Sequence, residues 1–456
     1  MIAIDFTAEV EKRKEDLLAD LFSLLEINSE RDDSKADAQH PFGPGPVKAL
    51  EKFLEIADRD GYPTKNVDNY AGHFEFGDGE EVLGIFAHMD VVPAGSGWDT
   101  DPYTPTIKDG RLYARGASDD KGPTTACYYG LKIIKELGLP TSKKVRFIVG
   151  TDEESGWADM DYYFEHVGLA KPDFGFSPDA EFPIINGEKG NITEYLHFAG
   201  ENTGAARLHS FTGGLRENMV PESATAVSGD LADLQAKLDA FVAEHKLRGE
   251  LQEEAGKYKV TIIGKSAHGA MPASGVNGAT YLALFLSQFG FAGPAKDYLD
   301  IAGKILLNDH EGENLKIAHV DEKMGALSMN AGVFRFDETS ADNTIALNIR
   351  YPKGTSPEQI KSILENLPVA SVSLSEHGHT PHYVPMEDPL VQTGLQGHEQ
   401  VIGDGTFGRL LERGVAYGAM FPDSIDTMHQ ANEFIALDDL FRAAAIYAEA
   451  IYELIK

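Results

Sequence analysis

Residues 84–90 read G-I-F-A-H-M-D, a short apolar run that ends in His-x-Asp. The apolar part has the length and composition of a strand buried on both faces, as in a parallel sheet. His88 then stands at the end of this strand, where its imidazole is available as a metal ligand. The stretch therefore predicts a buried strand that carries a metal-binding histidine at its carboxyl end.

Acidic residues and a second histidine extend this candidate site along the chain. They are Asp119 in G-A-S-D-D-K-G, Glu153 and Glu154 in T-D-E-E-S-G, Asp179 in S-P-D-A-E-F-P, and His429 in T-M-H-Q-A-N-E. Histidine and carboxylate ligands without cysteine suit Zn²⁺ or another first-row divalent ion. With His88, these residues supply the ligands and the general base of a two-metal hydrolase.

Composition limits the class of protein to which the chain can belong. The length of 456 residues and the hydrophobic content of 42% predict two domains with substantial cores. Lysine and arginine number 40 against 73 acidic residues, which gives a formal net charge of −33 at pH 7. Because no basic block is long enough to follow a phosphate backbone, the charge argues against nucleic acid and anionic membranes as partners.

Cysteine content and the N-terminal sequence bear on the compartment. The single Cys127 cannot form an internal disulfide, and the N-terminal residues lack the basic and apolar regions of a signal peptide. The longest apolar stretch, residues 281–286, is far shorter than the roughly 20 residues that span a bilayer. We therefore expect a soluble, cytoplasmic protein.

Strands and helices alternate in the first part of the chain. Apolar spacing predicts helices over 7–27, 47–58, 122–137 and 160–168, and strands over 82–87, 144–150 and 174–176. After Pro385 the pattern returns, with a strand over 415–420 and a helix over 437–455. This alternation predicts an α/β domain with a largely parallel sheet.

A different pattern, strand, helix and strand, occurs twice between residues 187 and 383. Residues 217–238 resemble residues 342–364, since in both an asparagine opens an alternating strand, and an amphipathic helix follows a turn. We interpret this as a weak internal repeat of an α+β unit. The prediction is a discontinuous catalytic domain over 1–186 and 384–456, and an inserted domain over 187–383 with two similar halves.

The spacing places the candidate ligands at one edge of the predicted sheet. His88, Glu153, Glu154 and Asp179 each follow the carboxyl end of a predicted strand, where sites assemble in open α/β sheets. Asp119, at the start of a helix, is best placed to bridge two ions about 3.5–4 Å apart. Each residue alone also fits a structural role, such as a helix N-cap, but their joint placement favours a metal site.

In this order the motifs resemble those of the zinc exopeptidases that include carnosinases, aminoacylases, acetylornithine deacetylase, succinyl-diaminopimelate desuccinylase and the glutamate carboxypeptidases. The resemblance is strongest to bacterial broad-specificity dipeptidases of the carnosinase type. It extends through H-M-D-V-V-P, G-W-D-T-D-P-Y, R-G-A-S-D-D-K-G-P, D-E-E-S-G, S-P-D-A-E-F-P-I-I-N-G-E-K-G, S-A-H-G-A-M-P, N-I-R-Y-P-K-G and M-H-Q-A-N-E. The resemblance implies an α/β catalytic domain with an inserted α+β lid domain.

The resemblance also implies a role for each ligand. His88 and Asp179 would hold one zinc ion, Glu154 and His429 would hold a second, and Asp119 would bridge them. Mn²⁺ and Co²⁺ are possible substitutes, because affinity order alone does not select the metal in a cell.

Further residues take their roles from the same resemblance. Glu153 would be the general base that takes a proton from the attacking water and passes it to the leaving amine. Asp90 would accept a hydrogen bond from the His88 ring. His268 would stabilise the oxyanion. Asn218 and Arg350 would bind the substrate, and Arg350 would pair with the free carboxylate of the substrate.

One motif departs from the family pattern. Residues 403–408 read G-D-G-T-F-G, so Asp404 interrupts the run of glycines that family members often show before threonine. This position bears on how the substrate carboxylate is bound. The motif also matches the dinucleotide pattern G-x-G-x-x-G, but it lacks an acidic ribose ligand on a well-placed following strand, which argues against a nucleotide site.

Two enzymatic functions are compatible with these motifs. The resemblance favours a dinuclear zinc dipeptidase that hydrolyses unblocked dipeptides with broad side-chain tolerance, with β-alanyl dipeptides such as carnosine among the candidate substrates. The alternative is an N-acyl-amino-acid deacylase, of the desuccinylase or deacetylase type, with the same metal site. A binding protein without catalysis is a more distant alternative, and the intact Glu153 and five ligands argue against it.

The length of the inserted segment bears on the oligomeric state. Relatives with a single α+β unit commonly pair through it, and the catalytic histidine of one subunit then completes the partner's site. Here the unit looks duplicated. We therefore expect the second half to take the place of a partner, so that the chain acts on its small dipeptide substrate as a monomer.

Overall fold

The computed structural model describes residues 4–201, 203–229, 231–254, 256–394, 399–403 and 405–456. Asp404, which interrupts the glycine run, lies outside the described residues. The chain divides into two compact units. The discontinuous unit comprises Met1–Gly187, Tyr383–Gln400 and Thr406–Lys456, and the inserted unit comprises Glu188–His382 and Val401–Gly405.

Helices and strands occur in both units. The α-helices are α1 (Phe6–Glu11), α2 (Lys14–Leu25), α3 (Pro44–Arg59), α4 (Lys121–Glu136), α5 (Ala158–Asp161), α6 (Leu234–His245), α7 (Gly278–Leu286), α8 (Pro294–Asp300), α9 (Pro357–Leu364) and α10 (Leu437–Ile455). The strands are β1 (Thr64–Val67), β2 (Ala71–Phe76), β3 (Val82–His88), β4 (Thr106–Lys108), β5 (Arg111–Tyr113), β6 (Lys144–Gly150), β7 (Phe174–Ser177), β8 (Ala180–Glu181), β9 (Gly187–Glu188), β10 (Gly190–Phe198), β11 (Arg207–Gly213), β12 (Ser223–Gly229), β13 (Arg248–Glu254), β14 (Lys257–Ile263), β15 (Val320–Asp321), β16 (Gly325–Ala326), β17 (Ser328–Asp337), β18 (Asn343–Tyr351), β19 (Ser371–Leu374), β20 (His382–Tyr383), β21 (Val401–Ile402), β22 (Gly414–Ala416), β23 (Ala419–Met420) and β24 (Phe434–Ala436). Among the described residues, no helix is both long enough and apolar enough to cross a membrane.

The central sheet of the discontinuous unit has six strands in the described chain, in the order β1-β2-β6-β3-β7-β22. Strand β3 runs parallel to β6 and to β7, and β7 runs parallel to β22. On the other side of β6, strand β2 pairs antiparallel with β6, and β1 pairs antiparallel with β2. The predicted α/β fold with a largely parallel sheet is confirmed, and its antiparallel edge is an addition.

Both faces of β3 are buried, which explains its unbroken apolar sequence. Leu83 and Ile85 belong to a core that also contains apolar residues of α4 and α10, and both are 0% exposed. Phe86 points to the opposite face, where its ring lies 6.3 Å from that of Phe164. The strand is thus held from both sides, and this fixes His88 at its end.

Three predicted elements are divided in the structure. The helix predicted over 7–27 is two helices, α1 and α2, and at the break Arg13 bonds to Glu9 and Glu136. The helix predicted over 160–168 is α5 followed by a π-helical turn, Tyr162–His166. The strand predicted over 415–420 is interrupted by Gly418, whose φ of +74° is favourable for glycine alone.

The inserted unit contains an antiparallel sheet of eight strands in the described chain, in the order β13-β14-β12-β11-β17-β18-β10-β19. Outward from its centre, the two halves read β11-β12-β14-β13 and β17-β18-β10-β19. Helix α6 lies between β12 and β13 in sequence, and α9 lies between β18 and β19. Duplication of an α+β unit would produce such symmetry. The match is incomplete in chain order: β14 and β10 are each third from the centre, but β14 follows the helix of its half and β10 precedes the helix of its half.

Glu194 is a buried acid in the core of the inserted unit. It lies on β10 between Ile192 and Leu196, on the face that packs into the core, and it is 0% exposed. Neither of its carboxylate oxygens has a hydrogen-bond partner among the described residues. Burial raises the pKa of Glu194 to about 8; Lys361 lowers it, while Glu358 and Glu365 add to the rise.

We expect Glu194→Gln to stabilise the inserted unit in a pH-dependent way. Because the pKa of the carboxyl group is higher in the folded state, the folded protein loses stability as the pH rises from 4.5 towards about 8. Glutamine does not titrate, so the variant should gain on the order of 3 kcal/mol at pH 7 and little at pH 4.

Hydrogen exchange of the β10 amides at both pH values, corrected for intrinsic exchange rates, measures this difference. Glu244→Gln, at an exposed position of α6, is the matched control. If Glu194→Gln and the control show the same dependence of stability on pH, the burial of an ionisable Glu194 is not destabilising and the prediction is wrong.

Candidate metal centre

The predicted ligands lie in one unit, at the carboxyl ends of the parallel strands. His88 is the last residue of β3, Glu154 follows the end of β6, and Asp179 follows β7. Asp119 precedes α4, and His429 lies between β23 and β24. The sheet therefore brings residues that are far apart in sequence to the edge where α/β proteins assemble sites.

Two groups of three side chains meet at this edge. His88, Asp119 and Asp179 form one group, and Asp119, Glu154 and His429 form the other; in each group the three ligand atoms lie within 4.8 Å of one another. Asp119 belongs to both groups and uses a different oxygen in each. This is the arrangement of a carboxylate that bridges two metal ions.

The distances within each group fit ligands of one small cation. His88 Nε2 lies 3.1 Å from Asp119 Oδ1 and 3.6 Å from Asp179 Oδ2. His429 Nε2 lies 2.9 Å from Asp119 Oδ2 and 3.1 Å from Glu154 Oε2. Two ligands bound tetrahedrally to Zn²⁺ are separated by roughly 3.3 Å, so only small shifts of these side chains would admit an ion.

The charges of the cluster also favour cations. Burial raises the pKa of Glu154 to about 7 and that of Asp179 to about 6, and the charge of Asp119 adds to both rises. Burial and the charge of Asp179 raise the pKa of Glu153. Glu154 Oε1 is buried and has no hydrogen-bond partner among the described residues, which is costly for a carboxylate oxygen. The residues present therefore fit two divalent ions.

Asp90 holds the segment that carries the two adjacent glutamates. Its Oδ1 accepts a hydrogen bond from the Glu153 backbone N–H at 3.2 Å, and its Oδ2 accepts one from the Glu154 N–H at 3.1 Å. His88 Nδ1 lies 3.0 Å from the Asp90 carbonyl oxygen and 3.4 Å from its carboxylate. The nearer acceptor for the ring is thus the carbonyl, and either acceptor places the proton on Nδ1 and leaves Nε2 for a metal.

Asp120 is a buried residue of the site and is not among the predicted ligands. Its Oδ2 accepts hydrogen bonds from the His88 backbone N–H at 3.2 Å and from Thr124 Oγ1 at 2.8 Å. It therefore ties the end of β3 to the first turn of α4. The available signal was its position, since it directly follows Asp119 in G-A-S-D-D-K-G.

Asn218 and His268, two of the remaining predicted residues, lie side by side in the inserted unit. The Gly269 N–H donates to the Asn218 carbonyl oxygen at 2.7 Å, and a Cβ at Gly269 would lie 2.8 Å from that same oxygen. His268 Nδ1 accepts a hydrogen bond from the Ala270 N–H at 3.2 Å. Because Nδ1 is an acceptor, neutral His268 carries its proton on Nε2.

Arg350, the third predicted residue of the inserted unit, lies on β18 and is 4% exposed. Its Nε donates to Asn348 Oδ1 at 3.2 Å, and its Nη1 donates to the Gly403 carbonyl oxygen at 3.1 Å. The guanidinium group is therefore held beside the glycine segment at residue 403.

Comparison with known proteins relates the chain to one family. The model of peptidase family M20/M25/M40 matches residues 84–453. A β-Ala-Xaa dipeptidase of Lactobacillus delbrueckii subsp. lactis is 43% identical over 468 residues, and the alignment covers 99% of each chain. The crystal structure of human carnosine dipeptidase 1 aligns over 98% of each chain, with a TM-score of 0.58 and 17% identity. An M20 family metallo-carboxypeptidase from Sulfolobus solfataricus aligns over 96% of this chain and 98% of its own, with a TM-score of 0.57 and 19% identity.

Proposed function

Because the chain belongs to peptidase family M20/M25/M40, we propose that it is a metallo-dipeptidase that cleaves unblocked dipeptides. The family match confirms the predicted resemblance and the prediction of a peptidase hydrolase. The relative with 43% identity is a β-Ala-Xaa dipeptidase, which favours this reading over the deacylase. The match to this relative is the observation that carries the choice of substrate class. The sharing of Asp119 between two groups of candidate ligands supports the metal-dependent part of the proposal, which the deacylase would have in common.

We propose two Zn²⁺ ions per chain, with Mn²⁺ or Co²⁺ as substitutes. His88 and Asp179 would hold one ion, Glu154 and His429 would hold the other, and Asp119 would contact both. Two such ions, when bound, polarise the scissile carbonyl and make water a stronger acid. The support for this assignment is the geometry of the two groups and the excess of buried negative charge.

Glu153 is the proposed general base. It adjoins the ligand Glu154 in sequence but belongs to neither group of ligands among the described residues. The hydrogen bond from its backbone N–H to Asp90 fixes its place at the site. In this role it accepts a proton from the attacking water and returns it to the leaving amine.

Replacement of Glu153 by glutamine should separate proton transfer from metal binding. We expect Glu153→Gln to lower kcat by about 10³-fold, because a general base is lost, and to leave the metal content of the protein unchanged. Initial rates with Leu-Leu and elemental analysis of the desalted protein measure the two quantities. Glu165→Gln, at an exposed position of the same unit, is the control. A variant with normal kcat would remove Glu153 from its assigned role.

The inserted unit is proposed to act as a lid with two similar halves. In this proposal His268 Nε2–H stabilises the oxyanion, Arg350 binds the carboxylate of the dipeptide, and Asn218 contacts the substrate. The tautomer of His268 supports the first assignment. We further propose that the second half replaces the unit of a partner subunit, so that one chain forms a complete site as a monomer.

Mixing two inactive variants tests both His268 and the monomer. We expect His268→Ala to lower kcat by about 100-fold, because a donor to the oxyanion is lost. A mixture of His268→Ala and Glu153→Gln should stay inactive if each site uses a single chain. If a partner supplied the histidine, mixed dimers would restore roughly a quarter of the wild-type activity. Such restoration, or a dimer that loses activity on dilution, would contradict the proposal.

A panel of substrates distinguishes the dipeptidase from the deacylase. The zinc-loaded protein should release amine from Leu-Leu and β-Ala-His, and it should not act on Leu-Leu-Leu, N-acetyl-leucine or N-succinyl-diaminopimelate. The expected selectivity arises because the site has to bind a free amino end and a free carboxylate at a fixed separation. Glu153→Gln is the control for contaminating peptidases. Cleavage of the blocked compounds alone would show a deacylase.

A further inference from the structure

Glu433 is a buried acid close to the metal centre that belongs to neither group of candidate ligands among the described residues. It follows His429 by four positions in M-H-Q-A-N-E and is 1% exposed. Its Oε2 lies 2.5 Å from Nη1 of Arg115, which is also 1% exposed. Burial of such an ion pair costs desolvation free energy, which is offset only if further hydrogen bonds satisfy both charged groups.

The Glu433 carboxylate binds the loop that carries Asp119. Its Oε1 accepts hydrogen bonds from the backbone N–H groups of Ser118 at 2.8 Å and Asp119 at 3.2 Å. Its Oε2 accepts one from the Gly116 N–H at 3.2 Å. With Arg115, four donors from residues 115–119 converge on one carboxylate, and each oxygen has two of them.

Asn432 and Arg115, which adjoin these bonds, connect the loops at residues 429–433 and 115–119 to a third loop. Asn432 Oδ1 accepts a hydrogen bond from the Asp99 N–H at 2.8 Å, and its Nδ2 donates to the Gly97 carbonyl oxygen at 3.4 Å. Arg115 Nη2 donates to the Pro93 carbonyl oxygen at 3.3 Å. Three loops, at residues 93–99, 115–119 and 429–433, are thus joined by hydrogen bonds.

The backbone of the 429–433 segment requires such support. His429 and Asn432 both have a φ of +60°, in the left-handed region that residues other than glycine rarely adopt. Backbone in this region persists when the surrounding contacts hold it. Asn432 and Glu433 lie three and four residues after His429. Their bonds hold the segment from which the imidazole of His429 reaches Asp119.

We propose that Glu433 is a positioning residue for the metal centre. Through its bonds to the 115–119 loop, it fixes Asp119 relative to His429, so that the two oxygens of Asp119 face the two groups of ligands. Arg115 assists by neutralising the charge of Glu433 and orienting its carboxylate. This inference rests on the proposed metal-dependent function, but it concerns metal affinity and does not depend on the substrate.

Glu433→Gln should therefore weaken metal binding more than it weakens the fold. Glutamine has nearly the same shape, but it lacks the charge that pairs with Arg115 and offers one acceptor oxygen in place of two. Loss of a residue that orients a metal ligand typically lowers affinity by about 10–100-fold. Because Asp119 belongs to both groups, we expect both ions to bind more weakly.

The test is a competition titration of the metal-free protein with Zn²⁺ and a chromophoric chelator. Thermal unfolding of the metal-free protein reports the structural effect alone, and the d–d absorption bands of the Co²⁺-loaded protein report the coordination. Glu449→Gln, at an exposed position of α10, is the control. We expect the Glu433→Gln variant to lose about 10–100-fold in affinity and to show altered Co²⁺ bands.

Arg115→Lys serves as a second, milder variant if Glu433→Gln does not fold. It keeps the positive charge and loses the planar donor group, so a smaller loss of affinity in the same direction is expected. Unchanged affinity in the folded variant, with only a lower unfolding midpoint, would overturn the inference. If the wild type binds zinc but cleaves no dipeptide, the proposed substrate fails while the inference stands; if it binds no zinc, both fail.

Discussion

The burial of several carboxylates in one cluster is the constraint on which the discontinuous unit depends. Asp119, Glu154 and Asp179 meet at the end of the parallel strands, where the imidazoles of His88 and His429 accompany them. Like charges at such distances repel strongly when they are shielded from water. Divalent cations would relieve this repulsion. The carboxylates that destabilise the folded protein are therefore suited to hold metal ions.

Two other buried carboxylates, those of Asp90 and Glu433, hold the backbone of the segments that carry the candidate ligands. The Asp90 carboxylate accepts hydrogen bonds from the backbone N–H groups of Glu153 and Glu154. The Glu433 carboxylate accepts three from the backbone of residues 116–119, one of them from Asp119 itself. In both cases a buried carboxylate that is not a candidate ligand holds a segment that carries one. The ligand positions are therefore largely set by protein contacts, which reduces the reorganisation that metal binding requires.

Sequence predicts the parts of this structure that depend on continuous burial or on long periodicity. Strand β6 and helix α10 have the predicted bounds, because β6 ends in the buried apolar run F-I-V-G and α10 keeps its apolar spacing over its whole length. Strands β1 and β2 were missed for different reasons. Strand β1 is a short edge strand whose middle residues, Lys65 and Asn66, are polar and exposed. Strand β2 is mostly buried, but Gly72, His73 and Glu75 interrupt its apolar residues. At the break between α1 and α2, Arg13 bonds to Glu136, which is 123 residues away, and no local pattern shows that contact.

The same distinction applies to the site. Four ligand candidates, at residues 88, 119, 154 and 179, could be found because each is a metal-binding residue type that follows a predicted strand or begins a predicted helix. His429 could be found through its motif, M-H-Q-A-N-E. The contacts of Asp90 and Glu433 could not be found in this way, since their partners are backbone N–H groups that every residue but proline possesses.

Anomalous X-ray diffraction from crystals grown with Zn²⁺, recorded on both sides of the zinc absorption edge, tests the central claim most directly. We predict two zinc peaks about 3.5–4 Å apart, one beside His88 and the other beside His429, with Asp119 between them. A single peak, or zinc bound away from these ligands, would contradict the account.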